Sequence, residues 1–201
     1  NNLQITRQLL CCGLIGLVIG AVNSEKKFYF NGISSGRDFL EGEIDSAVGL
    51  FIRNIQIPIV YNEANTWKDF YKDLQSRFTE LLSMDRQVSL DDANASNSDF
   101  LFIYENYPYN HLYSEEFEAE LVHVNEITGY PVTFCLFPLV DGYALRIAYD
   151  ARRFSEEWIV GIKTKFEQIY HHVLNAPIDA LIDTSRNFPI IETPDACAVD
   201  K

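Results

Sequence analysis

The sequence predicts an α/β domain in which a mixed, largely antiparallel sheet is packed by helices. Three segments have the apolar spacing or the uniformly apolar character of helices, and shorter β-branched or alternating segments between them predict strands. Their order is helix, strands, helix, strands, helix, which differs from the regular strand and helix alternation of a parallel fold. With 201 residues, 47% of them hydrophobic and 13% aromatic, the chain can bury a core of its own.

The first helix is predicted from an unbroken apolar stretch at residues 9–22, preceded by Arg7. Such a stretch is also typical of a signal peptide, but its 14 residues fall short of the roughly 18–20 that cross a bilayer. We therefore favour a buried helix in a soluble core and expect no membrane partner. Gly13, Gly16 and Gly20 weaken the helix in isolation and would let another element pack very close to it.

The next elements follow from β-branched and amphipathic spacing. Residues 27–34 and 48–61 predict strands, and the polar residues 35–47 between them predict a loop. Pro58 near the end of the second strand suggests a sheet edge, since proline cannot donate to a ladder. Residues 66–82 predict the clearest amphipathic helix of the chain.

The second half of the chain predicts further strands and a final helix. A short helix is expected at 89–95, strands at 99–105, 117–124, 131–139 and 143–149, and a loop at 106–116. Asp141-Gly142 is a strong hairpin signal between the last two strands. Ser155 is expected to cap a helix that runs to about residue 174. We expect residues 1–183 to form the folded unit and residues 184–201 to be a linker or tail.

Charge and cysteine content restrict the function classes. Lys and Arg number 16 against 29 Asp and Glu, so the net charge of −13 disfavours nucleic acid as a partner. The four cysteines show neither a C-x-x-C pair nor a zinc-ligand spacing, and they are too sparse for a secreted disulfide framework. We expect thiols in a reducing compartment, and therefore a cytoplasmic protein without a metal site. These residues are Cys11, Cys12, Cys135 and Cys197.

No catalytic constellation stands out in the residues themselves. His171 and His172 are adjacent on a predicted helix, where neighbouring side chains point about 100° apart and cannot share a face. His111 and His123 each stand alone. The sequence contains no nucleophile elbow, phosphate loop, zinc-protease motif or dinucleotide fingerprint. From residue chemistry alone, the sequence predicts an α/β lobe without a self-sufficient active site.

Four segments in order resemble the C-terminal lobe of nonribosomal peptide synthetase condensation domains. Residues 30–38 are similar to the family's strand that ends in Gly-Arg, and residues 44–58 to its "V-G-x-F-V-N-T" stretch. Residues 86–90 are similar to "H-Q-x-V-S-L", and residues 99–108 to "F-D-x-L-F-V-F-E-N-Y-P". The resemblance assigns Gly36, Arg37, Asp38, Val48, Gly49, Phe51, Arg53 and Asn54 to the floor loop and tunnel. It assigns Arg86, Gln87, Ser89, Glu105, Asn106, Tyr107 and Pro108 to further family motifs. Arg53 and Arg86 depart from the family's usual Asn and His.

The resemblance implies a two-lobed fold like that of chloramphenicol acetyltransferase, with a tunnel between the lobes. The phosphopantetheine arms of donor and acceptor carrier proteins would enter from opposite ends, and an acceptor amine would attack a donor thioester to give an amide. The family motif "H-H-x-x-x-D-G", which lies in the N-terminal lobe, is absent from this sequence. The chain would therefore supply a floor loop, a tunnel wall and a latch, would hold no catalytic residue or cofactor itself, and would need the N-terminal lobe as its partner.

Two other functions stay open at this point. One is an epimerisation enzyme or another acyltransferase of the same superfold, and the other is a non-catalytic module that docks carrier proteins. The resemblance further implies that Arg37 and Asp38 anchor the floor loop within their own lobe. We also expect an exposed apolar face for the partner lobe, formed by Gly49, Phe51, Ile52 and residues 107–109.

Overall fold

The computed structural model describes residues 5–34, 48–49, 51–62, 64–85, 98–105, 111–113, 118–120, 128–139 and 142–182. Within these ranges the helices are α1 (Arg7–Asn23), α2 (Trp67–Asp85) and α3 (Glu156–Asn175). The strands are β1 (Lys27–Ser34), β2 (Arg53–Val60), β3 (Phe100–Tyr104), β4 (His111–Tyr113), β5 (Glu118–Glu120), β6 (Val132–Leu139) and β7 (Gly142–Tyr149).

Five of these strands form one sheet in the order β2-β1-β3-β6-β7. The outer pairs β1–β2 and β6–β7 are antiparallel and pair along the whole length of their eight-residue strands. The inner pairs β1–β3 and β3–β6 are parallel and shorter. Most paired residues are therefore antiparallel, and the predicted mixed, largely antiparallel sheet packed by helices is confirmed.

The edge position of β2 agrees with its proline. Pro58 lies opposite Tyr29 in the register of β1 and β2, and Tyr61 donates its backbone N–H to the carbonyl of Lys26 at 3.0 Å. Hydrogen-bonded and non-hydrogen-bonded pairs alternate in an antiparallel ladder, so Pro58 occupies a non-hydrogen-bonded pair. The missing N–H of Pro58 thus lies on the outer side of the sheet, where no ladder bond is lost.

Helix α1 is buried on all sides at the centre of the fold. Residues 11–20 are all buried, and Leu14 and Leu17 have no exposed surface at all. A helix that is apolar all round belongs inside a core. Thr6 caps the start of α1 by accepting a hydrogen bond from the N–H of Leu9, and the helix ends at Ser24 in the left-handed conformation. The described residues include no helix that is both long and apolar enough to span a bilayer.

Two glycines allow α2 and β2 to approach α1 closely. A Cβ atom at Gly13 would lie 2.6 Å from Cε1 of Tyr71 in α2, and one at Gly16 would lie 2.6 Å from Cδ1 of Ile59 in β2. Both distances are shorter than real carbon–carbon contacts allow. Tyr71 is held in place because its hydroxyl donates to the carbonyl of Leu10 at 2.9 Å. The close packing expected from the glycine spacing is therefore present.

Both amphipathic helices begin at side-chain caps. The Thr66 hydroxyl accepts from the N–H of Asp69, while the Asp69 carboxylate accepts from both the N–H and the hydroxyl of Thr66. Ser155 accepts from the N–H of Trp158 at 3.2 Å, which confirms it as the cap of α3. Each cap satisfies donors that the first helical turn leaves without partners.

The turn between β7 and α3 is fixed by Asp150. Its carboxylate accepts from the backbone N–H and the guanidinium of Arg152, with distances of 2.8–3.0 Å. The side-chain hydrogen bond of Arg152 is the main cause that lowers the pKa of Asp150 to about 2. Arg153, the next residue, pairs with Asp99 at 2.8 Å and ties the same turn to the start of β3.

Two element boundaries differ from those predicted. The sequence predicts the second strand from residue 48, but it begins at Arg53, because Ser34, its partner in β1, is the last residue of that strand. Backbone beyond this pair has no ladder partner in β1. The loop predicted at 106–116 contains β4, which pairs with β5 in a separate two-stranded sheet. The short helix predicted at 89–95 lies outside the described residues.

The contact between Gly16 and Ile59 predicts a specific coupling. Gly16→Ala should destabilise the fold by about 1–3 kcal/mol through overpacking, even though alanine is the better helix former. Ile59→Ala should cost about 2–5 kcal/mol by leaving a cavity. The double variant should be more stable than the sum of the two losses, because the cavity accepts the new methyl group. Chemical denaturation of the four proteins measures this, and strict additivity would show that the two residues do not share a packing site.

Asp150 predicts a loss of stability in acid. Its folded-state pKa of about 2 lies below the ordinary value for aspartate, so its stabilising effect is present above about pH 4 and is lost as the pH falls towards 2. Asp150→Asn should lower the melting temperature at pH 7, and the difference from the unmodified protein should shrink between pH 4 and pH 2. Arg152→Gln removes the main cause of the shift and should reproduce this pattern. A difference that stays constant across the interval would refute the assignment.

Candidate functional site

The carboxyl ends of the three parallel strands meet at one edge of the sheet. Strands β1, β3 and β6 end there at Ser34, Tyr104 and Leu139, and the antiparallel strand β2 starts there at Arg53. We call this line of residues the carboxyl edge. Open α/β sheets bind their ligands at this edge, because the strand ends and the loops that follow them form a crevice. The edge is therefore the candidate functional site.

The segment that leads into β2 carries exposed apolar side chains at this edge. Val48 is fully exposed and Ile52 is 60% exposed, whereas Phe51 is half-buried. The Phe51 ring lies beside Gly49, where an added Cβ atom would come within 3.2 Å of the ring. The Phe51 ring thus lies against Gly49, while the side chains of Val48 and Ile52 are exposed to solvent.

Arg53 and Asn54 follow directly in the first two positions of β2. They pair with Ser34 and Ile33, so both lie at the carboxyl edge. Arg53 is half-buried and Asn54 is exposed. The structure thus brings Arg53 and Asn54, two of the predicted tunnel residues, to the same edge as the end of β1.

A cluster of Arg7, Tyr104 and Tyr143 occupies the other end of the edge. Arg7, in the first turn of α1, donates to the Tyr143 hydroxyl at 3.1 Å, and its guanidinium carbon lies 5.9 Å from the ring centroid of Tyr143. The rings of Tyr104 and Tyr143 have centroids 6.5 Å apart. Glu105 follows Tyr104 and is held by its N–H, which donates to the carbonyl of Leu136 at 2.9 Å.

The electrostatics of this cluster raise the pKa values of Tyr104 and Arg7. Burial raises the pKa of Tyr104 above its ordinary value, and its hydrogen bond with Tyr143 acts in the same direction. The hydrogen bond with Tyr143 also raises the pKa of Arg7. Tyr104 and Arg7 can therefore donate hydrogen bonds at neutral pH, but they cannot accept a proton as a general base.

The other candidate residues do not join the edge. The ring of His172 contacts that of Trp67, while His171 contacts Tyr170, so the two histidines face different neighbours as helix geometry predicts. Cys11 and Cys12 are free and buried inside the core, and burial raises the pKa of Cys11 to about 11. Within the described ranges there is no group of three or more potential metal ligands.

Nine of the residues assigned by resemblance lie outside the described residues. The residues are Gly36, Arg37, Asp38, Arg86, Gln87, Ser89, Asn106, Tyr107 and Pro108. The expectation that Arg37 and Asp38 anchor the floor loop stays a prediction.

Sequence reasoning missed the pairing of Arg7 with Tyr143. The two residues are 136 positions apart, and no motif or periodicity connects them. Tyr143 follows a hairpin signal and Arg7 precedes an apolar helix, so the sequence pattern places each in its own local element. Their contact becomes visible only once α1 is packed against α3, α2 and the sheet.

A comparison with protein-family models matches residues 1–185 to the family described as "Condensation domain". The chain belongs to the condensation domain family. The match extends over all the described residues, so helices, sheet and carboxyl edge all fall inside it. The family suggested by the four motif-like segments is thereby confirmed.

Curated relatives of this condensation-family chain are very long synthetases. It is 24% identical over 195 residues to bacitracin synthase 3 of Bacillus licheniformis, covering 91% of the chain and 3% of that protein. It is 26% identical over 186 residues to a linear gramicidin synthase protein of Brevibacillus parabrevis, covering 88% of the chain and 4% of that protein. The chain thus spans only a few per cent of the curated relatives that it matches.

Solved structures share the fold. A four-domain nonribosomal peptide synthetase bound to AMP and glycine superposes with a TM-score of 0.74 at 13% identity, over 92% of this chain and 16% of that one. The first condensation domain of the CDA synthetase superposes with a TM-score of 0.62 at 8% identity, over 88% of this chain and 42% of that one. The condensation-family chain therefore has the same fold as part of a solved condensation domain.

Proposed function

We propose that these 201 residues form the C-terminal half of a nonribosomal peptide synthetase condensation domain, which joins carrier-bound substrates through an amide bond. The observation that carries this proposal is the position of the motif-like residues in the fold. Arg53 and Asn54, which belong to the stretch similar to the family's tunnel motif, begin β2 at the edge where β3 ends before Glu105, a residue of a different motif. The two motif-like segments thus meet at one edge of the sheet, as residues of a common site must.

Chain coverage supports a half-domain. The chain covers 42% of the solved first condensation domain of the CDA synthetase, which leaves more than half of that domain without a counterpart in these residues. The motif "H-H-x-x-x-D-G" is absent from the sequence, where His171-His172 is followed by Val173. His172 contacts Trp67 and His171 contacts Tyr170, so the two rings have different neighbours. The catalytic histidine would therefore come from the other lobe.

The chemistry of Tyr104 and Arg7 fits a binding role rather than a proton-accepting one. In the proposed reaction the acceptor amine attacks the donor thioester, a C–N bond forms, the C–S bond breaks, and the amine loses a proton. Tyr104 and Arg7 are both protonated at neutral pH and cannot take that proton. Their donors are suited to holding the substrate arms, which in this proposal are the phosphopantetheine groups of two carrier proteins.

The exposed side chains of Val48 and Ile52 favour a lobe partner at the same edge. Val48 has no contact that shields it from water, and Ile52 is 60% exposed. Apolar surface that stays in water is unfavourable by about 25 cal/mol per Å², so burial under a second lobe would stabilise both side chains. Two buried thiols, Cys11 and Cys12, fit a reducing compartment such as the cytoplasm.

A carrier-docking module without activity of its own is the second candidate. The absent histidine motif is the specific observation that favours it. Both functions predict binding of carrier proteins, and they differ only in what happens when an N-terminal lobe is added.

The two functions are distinguished by reconstitution. The chain is mixed with aminoacyl-loaded donor and acceptor carrier proteins, with and without a separately produced N-terminal lobe, and amide product is measured by mass spectrometry. The chain alone should form no product above the buffer rate, because it lacks a general base. Product in the presence of both lobes supports the condensation half-domain. Turnover by the chain alone would contradict the proposal, and carrier binding without product in every mixture would favour the docking module.

A substitution of Ile52 tests the proposed interface with the N-terminal lobe most directly. Ile52→Ser should weaken association with the N-terminal lobe roughly 10- to 100-fold, since burying an isoleucine side chain is worth about 1.5–3 kcal/mol. It should leave the melting temperature of the isolated chain unchanged, because the side chain is already exposed. Leu174→Ser, at a comparably exposed position near the end of α3, is the matched control and should alter neither quantity. Calorimetric titration measures the association, and an equal effect of both variants would place the interface elsewhere.

A further inference from the structure

An open pocket of about 420 Å³ lies at the amino ends of β1 and β3, at the end of the sheet opposite to the carboxyl edge. The two strands pair only through two residues each, beginning with Asn31 opposite Leu101. Residues 27–30 and 98–100 precede this pair and border a gap in which β1 and β3 are not yet paired. We call this space the amino-end pocket, and its lining comes from the end of α1, from β1 and β2, and from the start of β3.

The backbone of Tyr29 points into this gap. Tyr29 lies opposite Pro58 in a non-hydrogen-bonded pair, so its N–H and carbonyl point away from β2 and towards β3. In a continued parallel ladder the carbonyl of Tyr29 would accept from the N–H of Phe100, but that N–H donates to the Ser98 hydroxyl at 3.3 Å. Among the described residues the Tyr29 carbonyl therefore has no ladder donor in β3, and it is available as an acceptor at the wall of the pocket.

Three aromatic rings form the apolar part of the lining, those of Phe28, Tyr29 and Phe100. The Phe100 ring is held by stacking against Phe134 and Trp158, with both centroid distances at 6.4 Å. Tyr29 is a large aromatic side chain that is nevertheless 53% exposed. Because the faces of aromatic rings carry partial negative charge, they attract cations and also pack against aliphatic chains.

The charged part of the lining is acidic. Glu25 and Asp99 contribute carboxylates, and no Lys, Arg or His is found among the described residues that line the pocket. Glu25 is exposed, and its N–H donates to the carbonyl of Gly20 at 2.8 Å, which fixes its backbone at the end of α1. Asp99 pairs with Arg153 at 2.8 Å, so Glu25 supplies most of the uncompensated charge. The carboxyl end of α1, whose last turn contains no basic residue, adds to the negative potential.

Together these groups favour an organic cation as the ligand. A primary ammonium group has three N–H donors and no acceptor, and the Glu25 carboxylate and the Tyr29 carbonyl can both accept from it. The side-chain amide oxygens of Asn23 and Gln56 provide two further acceptors in the same lining. The volume of about 420 Å³ also leaves room for an aliphatic stem beside the rings. An anion would instead meet two carboxylates without a cationic side chain in the described lining.

We propose that the amino-end pocket binds a primary ammonium group carried on an aliphatic stem, with Glu25 as its ion-pair partner and the rings of Tyr29 and Phe100 beside the stem. A free aliphatic amine and a lysine side chain of a polypeptide both provide this chemistry. The pocket lies at the other end of the sheet from the carboxyl edge, and the proposal does not depend on the amide-forming function.

Titration of the isotope-labelled full chain with n-butylammonium chloride, followed by nuclear magnetic resonance, tests the site. The amide resonances of Glu25, Tyr29 and Gln56 should shift and saturate, with a dissociation constant in the millimolar range expected for so small a ligand. Butan-1-ol has the same stem without the charge and should cause no saturable shifts there. The absence of saturable shifts at these amides with butylammonium, or shifts centred on Tyr104 and Tyr143 at the carboxyl edge, would overturn the proposal.

Two charge variants separate the pocket from the overall charge of the chain. Glu25→Gln should raise the dissociation constant about 3- to 10-fold, as the loss of an exposed ion pair does, and should leave the melting temperature unchanged. Glu157→Gln is the matched control, because Glu157 is exposed in the first turn of α3 and does not line the pocket. It removes the same charge from a chain of net charge −13 and should leave the dissociation constant unchanged. Equal weakening by both variants would mean that the overall charge attracts the amine, which contradicts the proposal.

Blocked amino acids distinguish the two sources of the ammonium group. If a polypeptide lysine is the occupant, N-acetyl-lysine N-methylamide should bind at least as tightly as butylammonium and shift the same amides. Binding of butylammonium with exclusion of the lysine derivative would assign the pocket to a free amine. N-acetyl-norleucine N-methylamide is the uncharged control, and its binding with the same affinity as the lysine derivative would show that the ammonium group is not recognised and would refute the proposal.

Discussion

The close contact of α1 with α2 and β2 is the constraint on which the rest of the fold depends. Gly13 lets the Tyr71 ring lie directly against the α1 backbone, and Gly16 does the same for Ile59. Because β2 is the edge strand and α2 follows it in the chain, both are positioned by this single helix. The position of β2 then fixes where Arg53 meets the end of β1, and so fixes the carboxyl edge. The geometry of the carboxyl edge therefore depends on Gly13 and Gly16, two glycines of α1 that are not part of the edge.

The two ends of the carboxyl edge contribute different chemistry. At the β2 end, exposed side chains such as Ile52 offer apolar contact surface, while at the β7 end Arg7 and two tyrosines offer hydrogen-bond donors. Such an arrangement can hold a ligand that is partly apolar and partly polar. In the half-domain proposed above, this lobe would orient the reactants and the other lobe would supply the histidine that accepts the proton.

Patterns among neighbouring residues predict most helices and strands of the fold. The features that they do not predict depend on contacts between residues distant in sequence. The Ser155 cap, the strand at 27–34 and the buried first helix depend on neighbouring residues and are all predictable. The start of β2 is not, because strand length is limited by where its partner β1 ends. The likeness to family motifs places Val48, Arg53 and Glu105 in the candidate site, whereas Arg7 and Tyr143 give no such signal. Their contact depends on the tertiary position of α1 and can be found only in three dimensions.

Pro58 has a consequence for how this sheet behaves beside other molecules. A free sheet edge normally offers a continuous row of N–H and carbonyl groups, onto which a strand from another chain can add. In β2 that row is interrupted, because the position facing outward has a proline ring in place of an N–H. A strand that tried to extend the sheet there would lose a ladder bond and meet the ring. The proline thus lowers the risk of edge-to-edge aggregation at β2.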